Sequence, residues 1–179
     1  MTQFHGAPAK AEGALSEPGA VRAALAGKYM TFKLADEAYG LEILTVREII
    51  GLMDITRVPR AEDFIRGVIN LRGKVIPVLD LRLKFGLPRT EPTDQTVIIV
   101  VQCSLGDRSY TMGILVDQVL EVLSIEGSQI EPPPSFGGAV DAEFITGVGK
   151  TENRVIFLID IGKVLSEAEA HRMAQAAVA

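Results

Sequence analysis

The sequence predicts a mainly β protein in which two similar small β-barrels pack on each other. Its apolar residues are mostly Val, Ile and Leu in short runs, with few aromatic residues and no Trp, a composition typical of strands. Tight-turn residues separate these runs, and a segment of the first half recurs in the second. A chain of 179 residues is long enough for one domain or for two small ones that share a core.

The N-terminal third begins with a tail. Residues 1–27 are rich in Ala, Gly, Glu and Pro without a convincing period, which predicts a flexible arm with at most a transient helix at 20–26. Residues 29–34 and 39–43 then alternate around a turn and predict a β-hairpin. Thr45 and Glu48 have the spacing of a capping box, so we expect a short helix over 46–50.

A second predicted hairpin pairs residues 64–69 with 74–79 through a tight turn. Asp80 follows it, where its carboxylate can cap a short segment over 81–85. Residues 86–92 break all periodicity and indicate a connector. At the end of the chain, Ser166 and Glu169 form another capping box before Ala-rich sequence, which predicts a C-terminal helix over 166–179.

The sequence contains an internal repeat. A shift of 80 residues aligns the two halves without a gap at seven identical positions, which are Phe64/Phe144, Ile65/Ile145, Gly67/Gly147, Val68/Val148, Val75/Val155, Ile76/Ile156 and Asp80/Asp160. A looser match pairs 39–44 with 110–115 and the capped helix with 119–122. We therefore expect barrel halves at about 28–90 and 91–165 within one domain, 28–165. Closed barrels remove exposed sheet edges, and a shared apolar seam would leave a groove between them.

The predicted turn of the second hairpin carries an unusual charge. Arg72 stands at its tip, whereas the equivalent position of the repeat is Glu152. A residue that the hairpin merely required would not be expected to reverse its charge in the twin. Seven cations also gather in this part of an acidic protein: Arg57, Arg60, Arg66, Arg72, Lys74, Arg82 and Lys84. The cluster is either a partner-facing surface or an ordinary solvated face.

Catalytic chemistry finds little support. The only histidines are His5 and His171, both in predicted tails. No Ser or Cys between the tails therefore has a neighbouring histidine in the sequence that could act as its general base. No phosphate-binding loop or dinucleotide fingerprint occurs, and the ligands for a metal site are lacking. Asp80 and Asp160 are best explained as twin caps, and Cys103 as a core residue. We expect no catalytic, cofactor or metal site.

Net charge and hydropathy argue against a nucleic-acid-binding protein and against a membrane-spanning protein. The net charge of −5 argues against nucleic acid as a partner, because phosphate binding normally needs a basic excess. The longest purely apolar run, 97–101, is too short to cross a bilayer, and no signal-peptide pattern follows residue 10. A single cysteine agrees with a reducing compartment. We therefore expect a cytoplasmic protein without direct membrane insertion.

Three segments together resemble the CheW family of bacterial chemotaxis coupling proteins. They are YGLEI at 39–43, VREI at 46–49 and FIRGVINLRGKVIPVLDLR at 64–82, and the resemblance covers about 29–165. It implies two five-stranded SH3-like barrels and a non-enzymatic adaptor. Its implied partners are the cytoplasmic tips of methyl-accepting chemoreceptors and the regulatory domain of the histidine kinase CheA. It would work in the cytoplasm, associated with membrane receptor arrays.

The resemblance also implies binding residues. Receptor and kinase contacts of the family fall on the predicted helix and hairpin, and the whole turn belongs to the expected surface: Val46, Glu48, Gly67, Asn70, Leu71, Arg72 and Gly73. A helical receptor tip would lie in the groove between the barrels. Arg72 and Glu48 would either fix its register at the rim or support the turn. Gly67 would permit close approach of backbone or partner.

Two other functions remain open at this stage. One is a CheW-like regulatory module of another two-component or CheV-type signalling system. The length opposes it, because a receiver domain would need roughly a hundred more residues. The other is an enzyme that uses the groove between the barrels, which the absence of body histidines opposes.

Overall fold

The structure is a computed structural model that describes residues 18–105, 107–133 and 143–178. Three α-helices lie in these ranges: α1 (Pro18–Leu25), α2 (Leu81–Lys84) and α3 (Glu167–Val178). The strands are β1 (Gly27–Leu34), β2 (Glu37–Glu42), β3 (Val46–Gly51), β4 (Ile65–Leu71), β5 (Lys74–Asp80), β6 (Val97–Leu105), β7 (Arg108–Val116), β8 (Gln118–Ile125), β9 (Ile130–Glu131), β10 (Ile145–Lys150) and β11 (Val155–Ile159). None of the described helices is long and apolar enough to cross a membrane.

The strands form two sheets, which confirms the mainly β class with two similar units. Lobe 1 is the five-stranded sheet in the order β3-β6-β7-β5-β4, and lobe 2 is the six-stranded sheet β8-β1-β2-β11-β10-β9. Neither ladder closes into the ring that we expected, since each sheet has two end strands. In lobe 1 a bridge between Thr56 and Val68 covers part of the edge at β4.

Each lobe is completed by a hairpin from the other half of the sequence. The β1–β2 hairpin pairs with β8 and, in parallel, with β11, so it belongs to lobe 2. The β6–β7 hairpin pairs with β3 and, in parallel, with β5 in lobe 1. The sheets therefore do not follow the expected division into 28–90 and 91–165. A repeat shows which segments are equivalent, but it does not show which copy each segment pairs with.

The repeat itself is visible in the strand registers. The β4–β5 ladder shifts register between Ile65 and Gly67, and the β10–β11 ladder shifts at the equivalent place, between Ile145 and Gly147. Such a shift marks a β-bulge, which bends the strand and increases its twist. The 80-residue repeat thus corresponds to two hairpins of the same geometry.

The core has three parts. One apolar cluster fills lobe 1 and includes Ile76 and Ile98, and a second fills lobe 2 and includes Ile156. The largest cluster joins the lobes, because it combines Phe32 of lobe 2 with Ile99 of lobe 1, both fully buried. Full burial of such a side chain contributes about 1.5–3 kcal/mol. This shared core confirms the expected apolar seam.

Both segments predicted as short helices are strands. Residues 46–50 belong to β3 and residues 119–122 to β8. The Thr45 hydroxyl does not cap a helix, because it donates a hydrogen bond to the Glu42 carbonyl at 2.7 Å within the 3-10 turn Ile43–Thr45. β-branched residues favour strands, and tertiary pairing overrides the local capping pattern.

The terminal segments partly match their predictions. Residues 1–17 of the expected flexible arm lie outside the described residues. Residues 18–25 form α1, which is tied to lobe 2 through a hydrogen bond of 2.5 Å from the Tyr29 hydroxyl to the Leu25 carbonyl. α3 packs on lobe 1, where Ala170 and Met173 are buried.

The predicted caps are confirmed. The Asp80 carboxylate accepts a hydrogen bond from the Leu83 amide at 3.3 Å, and Asp160 accepts one from the Gly162 amide at 2.9 Å. The box at α3 is reciprocal, since Ser166 and Glu169 each accept a bond from the other's amide. Burial acts to raise the pKa of Glu169, but bonds from Ser166 and Lys84 outweigh it and lower that pKa.

The hairpin exchange predicts that neither half of the chain folds alone. Residues 28–90 lack the β6–β7 hairpin and residues 91–179 lack β1–β2, so each half leaves a sheet interrupted at its centre. We expect a disordered far-ultraviolet circular dichroism spectrum for each separate half and a β spectrum when the two are co-expressed. Cooperative thermal unfolding of either half alone would contradict the exchanged topology.

Candidate functional site

The β4–β5 hairpin ends in a two-residue turn. Leu71 pairs with Lys74, so Arg72 and Gly73 alone connect the strands, with φ of 52° and 89°. Positive φ at both positions defines a type I′ turn, which matches the twist of the flanking strands and favours Asn-Gly. The Asn70 side chain supports it by accepting a hydrogen bond from the Gly73 amide at 2.8 Å. Asn70 and Gly73 therefore shape the turn.

Arg72 occupies a conformation that does not suit it. A non-glycine residue in the left-handed region meets steric strain between its Cβ and the backbone. The twin hairpin has the same length, since Lys150 pairs with Val155 and the Thr151 amide donates to the Arg154 carbonyl at 3.0 Å. Its tip residue Glu152 is not among the described residues with positive φ. A hairpin of this length therefore does not itself require the Arg72 conformation.

The Arg72 side chain is 69% exposed and forms an ion pair with Glu48. This contact spans the sheet order of lobe 1, because Glu48 lies on end strand β3 whereas Arg72 follows β4 at the other end. Glu48 raises the pKa of the Arg72 guanidinium. The main cause is the hydrogen bond that Arg72 donates to the Glu48 carboxylate, and the second is the negative charge of that carboxylate. The structure thus brings together the two predicted residues that the sequence separates by 24 positions.

β3 presents Glu48 because its residues alternate between two faces. Val46, Glu48 and Ile50 are half-buried, whereas Arg47 and Ile49 are exposed. Val46 packs against the shared core, so its side chain is not a free surface group. Glu48 therefore does not act as the predicted capping residue. Its carboxylate pairs with Arg72 at the hairpin tip instead.

Several apolar residues in and beside β3 are exposed, which the sequence did not predict. Leu44 is 81% exposed just before β3, and Ile49 and Leu52 are each 41% exposed on β3 and just after it. The predicted helix over 46–50 gave a different set of outward-facing residues. A strand assignment would have placed Arg47, Ile49 and Gly51 on one outward face. Among these three, Ile49 lies on the exposed face of β3, whereas Leu44 and Leu52 lie just outside the strand at either end.

Gly67 is required by a crossing of the chain. It has φ of 143°, and a Cβ added there would lie 2.1 Å from the Thr56 carbonyl oxygen. The Thr56 segment exchanges two backbone hydrogen bonds of 2.8 Å with Val68. Of the two expected uses of Gly67, close approach of backbone or of partner, the structure therefore shows the first. Leu71 is half-buried against the lobe 1 core.

A cleft between the lobes does not include this site. The cleft, about 660 Å³, is lined by residues of both lobes, among them Phe85 and Phe144, whose rings stack 4.4 Å apart. Phe85 follows the Asp80 end of β5, whereas Arg72 precedes the Lys74 end, a separation of about 20 Å along the strand at ~3.3 Å per residue. Arg72 and Glu48 do not line the rim of this cleft.

The described residues offer no metal centre, since no group of three His, Cys, Asp or Glu side chains is suitably placed among them. Cys103 is buried, and burial raises the pKa of its thiol to about 11. A thiol with such a pKa is protonated at neutral pH and is a poor nucleophile. The site around Arg72 is thus chemically suited to binding, through a charged fork and apolar surface.

Comparison with known proteins gives a consistent result. A family model for the CheW-like domain matches residues 28–169. The chemotaxis protein CheW of Klebsiella aerogenes is 42% identical over 142 residues, covering 79% of this chain and 83% of that protein. The chemotaxis protein CheW of Bacillus subtilis is 37% identical, covering 78% and 87%. The crystal structure of the scaffolding protein TtCheW from Thermoanaerobacter tengcongensis matches with a TM-score of 0.70 at 36% identity, covering 81% and 96%.

The crossing at Gly67 predicts a large effect of a single methyl group. Gly67→Ala should lower the free energy of unfolding by more than about 2 kcal/mol, because the backbone at Thr56 must move or its bridge to Val68 must break. Urea denaturation followed by circular dichroism measures this change. Gly73→Ala is the matched control: its φ is also positive but its Cβ meets nothing within 4 Å, so the cost should be only about 1–2 kcal/mol. Equal stability of Gly67→Ala and the wild type would contradict the close approach.

Proposed function

The chain belongs to the CheW-like family of chemotaxis scaffold proteins, and on that premise we propose that it couples chemoreceptors to a histidine kinase. Members of the family are scaffolds and not enzymes. The proposed partners are the cytoplasmic tips of methyl-accepting chemoreceptors and the regulatory domain of the histidine kinase CheA. The proposed place of action is the cytoplasm, at membrane receptor arrays.

One observation carries this proposal: the exposed guanidinium of Arg72 stands at the tip of a strained turn. Backbone strain persists where the surrounding structure enforces it, and it concentrates at functional sites. The ion pair with Glu48 restricts the long side chain, so less conformational entropy is lost when a partner binds. Arginine is also a frequent interface anchor, because its fork can bond to several acceptors while its stem packs on apolar groups.

The neighbouring apolar surface supports a second contact. Leu44, Ile49 and Leu52 lie before, on and after end strand β3, where an adaptor could seat an apolar face of a partner protein. We propose that lobe 1 therefore carries two contact surfaces, the hairpin tip with Glu48 and the outward face around β3. Asn70 and Gly73 shape the tip, and Leu71 packs against the lobe 1 core beside it. Gly67 permits the chain crossing at Thr56, and Val46 ties β3 to the shared core.

An adaptor of this kind acts through geometry. Both proposed surfaces belong to the sheet of lobe 1, so partners that contact them are held at fixed relative positions. A shift of the receptor would then displace the kinase domain without a conformational change inside the adaptor. Several copies in an array would reinforce weak pairwise contacts, because linked binding sites raise the effective concentration of each partner.

Removal of the Arg72 side chain tests the proposal. Arg72→Ala should weaken binding to at least one of the two partners by about tenfold or more, as expected for an anchor residue. Calorimetry with a receptor tip fragment and the kinase regulatory domain measures the affinities, and circular dichroism checks the fold. Glu152→Ala, at the tip of the twin hairpin, is the matched control and should bind as the wild type does. The proposal fails if the wild type binds neither partner.

A further inference from the structure

A second concave surface of lobe 1 is lined by arginines. The loop 52–64 between β3 and β4 and the connector at Arg89 enclose a cavity of about 480 Å³. Four arginines are among its lining residues, namely Arg57, Arg60, Arg66 and Arg89. Neither Arg72 nor Glu48 belongs to the lining, so this surface is separate from the hairpin tip.

Among the described residues, three of these arginines have no protein partner for their charge. Arg57, Arg60 and Arg89 are exposed, and within residues 18–105, 107–133 and 143–178 their side chains form no ion pair or hydrogen bond. Arg66 differs, because it bonds the buried Asp80 carboxylate at 3.1 Å.

The carboxylates of the cavity do not neutralise this charge. Glu62 forms an ion pair with Arg172 of α3, which leaves Asp63 as the other acidic residue of the lining. Counting only partners in the described part of the chain, three unpaired cations and one unpaired anion line this cavity, although the protein's net charge is −5. Such a local excess attracts acidic groups and orients them during encounter.

Arg60 also has an unfavourable backbone. Its φ is 61°, a left-handed conformation that is strained for residues other than Gly, Asn and Asp. Arg60 follows Pro59, whose ring restricts the local chain. This turn therefore carries a cation at a position where glycine would meet less strain.

The cavity wall is mixed, which limits the kind of ligand. Ile55, Val58 and Ala61 contribute half-buried apolar surface between the arginines. A site for a small free anion is normally built from buried donors or converging backbone amides, whereas these guanidinium groups are exposed. Apolar wall and exposed arginine forks together fit a protein segment that carries both carboxylates and an aliphatic side chain.

We propose that this cavity binds an acidic segment of a partner protein. The carboxylates of the segment would bond Arg57, Arg60 and Arg89, and an aliphatic side chain would pack on Ile55 and Val58. The proposal goes beyond receptor and kinase coupling at Arg72, and it stands whichever partner Arg72 contacts. It gives the loop 52–64 a recognition role that the hairpin tip does not share.

The test uses the full chain and a defined probe. Nuclear magnetic resonance of the ¹⁵N-labelled protein is recorded during titration with a synthetic ten-residue peptide of six glutamates and four leucines. The same peptide with glutamine in place of glutamate is the ligand control. We expect shifts confined to residues 55–66 and Arg89 with the acidic peptide, and none there with the neutral one.

Charge variants then test the assignment. Replacing Arg57, Arg60 and Arg89 together by Gln should weaken peptide binding by about tenfold or more. The matched control replaces three exposed cations outside the cavity, Lys28, Arg108 and Arg154, by Gln and should bind as the wild type does. Arg60→Gly should unfold at a higher temperature than the wild type, because strain is relieved, and yet bind the peptide less tightly.

Three outcomes would overturn the proposal. They are the absence of shifts at the cavity, equal weakening in the control variant, and inorganic phosphate binding the same residues at least as tightly as the peptide. The last result would assign a small-anion site. None of these experiments contains receptor or kinase, so their failure leaves the coupling role at Arg72 unaffected.

Discussion

The two parallel strand pairings, β2 with β11 and β5 with β7, hold the rest of the structure together. Each joins a hairpin of one repeat to the strands of the other, so every lobe depends on both halves of the chain. The exchange also places Phe32 and Ile99 in one shared core. Because that core cannot be divided without exposing both lobes, the domain behaves as one body. A rigid body is what an adaptor needs if it is to fix its partners relative to each other.

The arrangement of the strands explains how Arg72 and Glu48 come into contact at the surface. Sheet curvature in lobe 1 brings the β4–β5 tip towards end strand β3, although the two lie at opposite ends of the strand order. The bulge at Gly67 lets the Thr56 segment cross β4, and that same loop carries Arg57 and Arg60 around the basic cavity. This crossing of the chain therefore shapes the loop that lines the basic cavity. The twin lobe keeps the bulge but carries Glu152 at the tip, so the proposed recognition site occurs in one copy of the repeat.

Local signals in the sequence predicted the local structure well. The repeat, the hairpin turn at Arg72, the caps at Asp80 and Asp160 and the box at Ser166 depend on residues close together in the chain, where spacing determines geometry. The helix expected at 46–50 was wrong, because the capping pattern of Thr45 and Glu48 is also compatible with a strand and only pairing with β6 decides. The hairpin exchange and the Arg72–Glu48 contact could not be predicted from the residues alone, since both depend on which distant segments meet.

We propose that Arg72 binds a partner directly and that Glu48 holds it in place. Exchanging the two charges, Arg72→Glu with Glu48→Arg, tests it, because the double variant can restore the internal ion pair while it reverses the charge at the tip. Affinities for the receptor tip and the kinase regulatory domain are compared with those of the two single variants and the wild type. If Arg72 contacts the partner itself, thermal stability recovers in the double variant while partner affinity stays low. Recovery of wild-type affinity would contradict the proposal and would show that Arg72 acts only by supporting the turn.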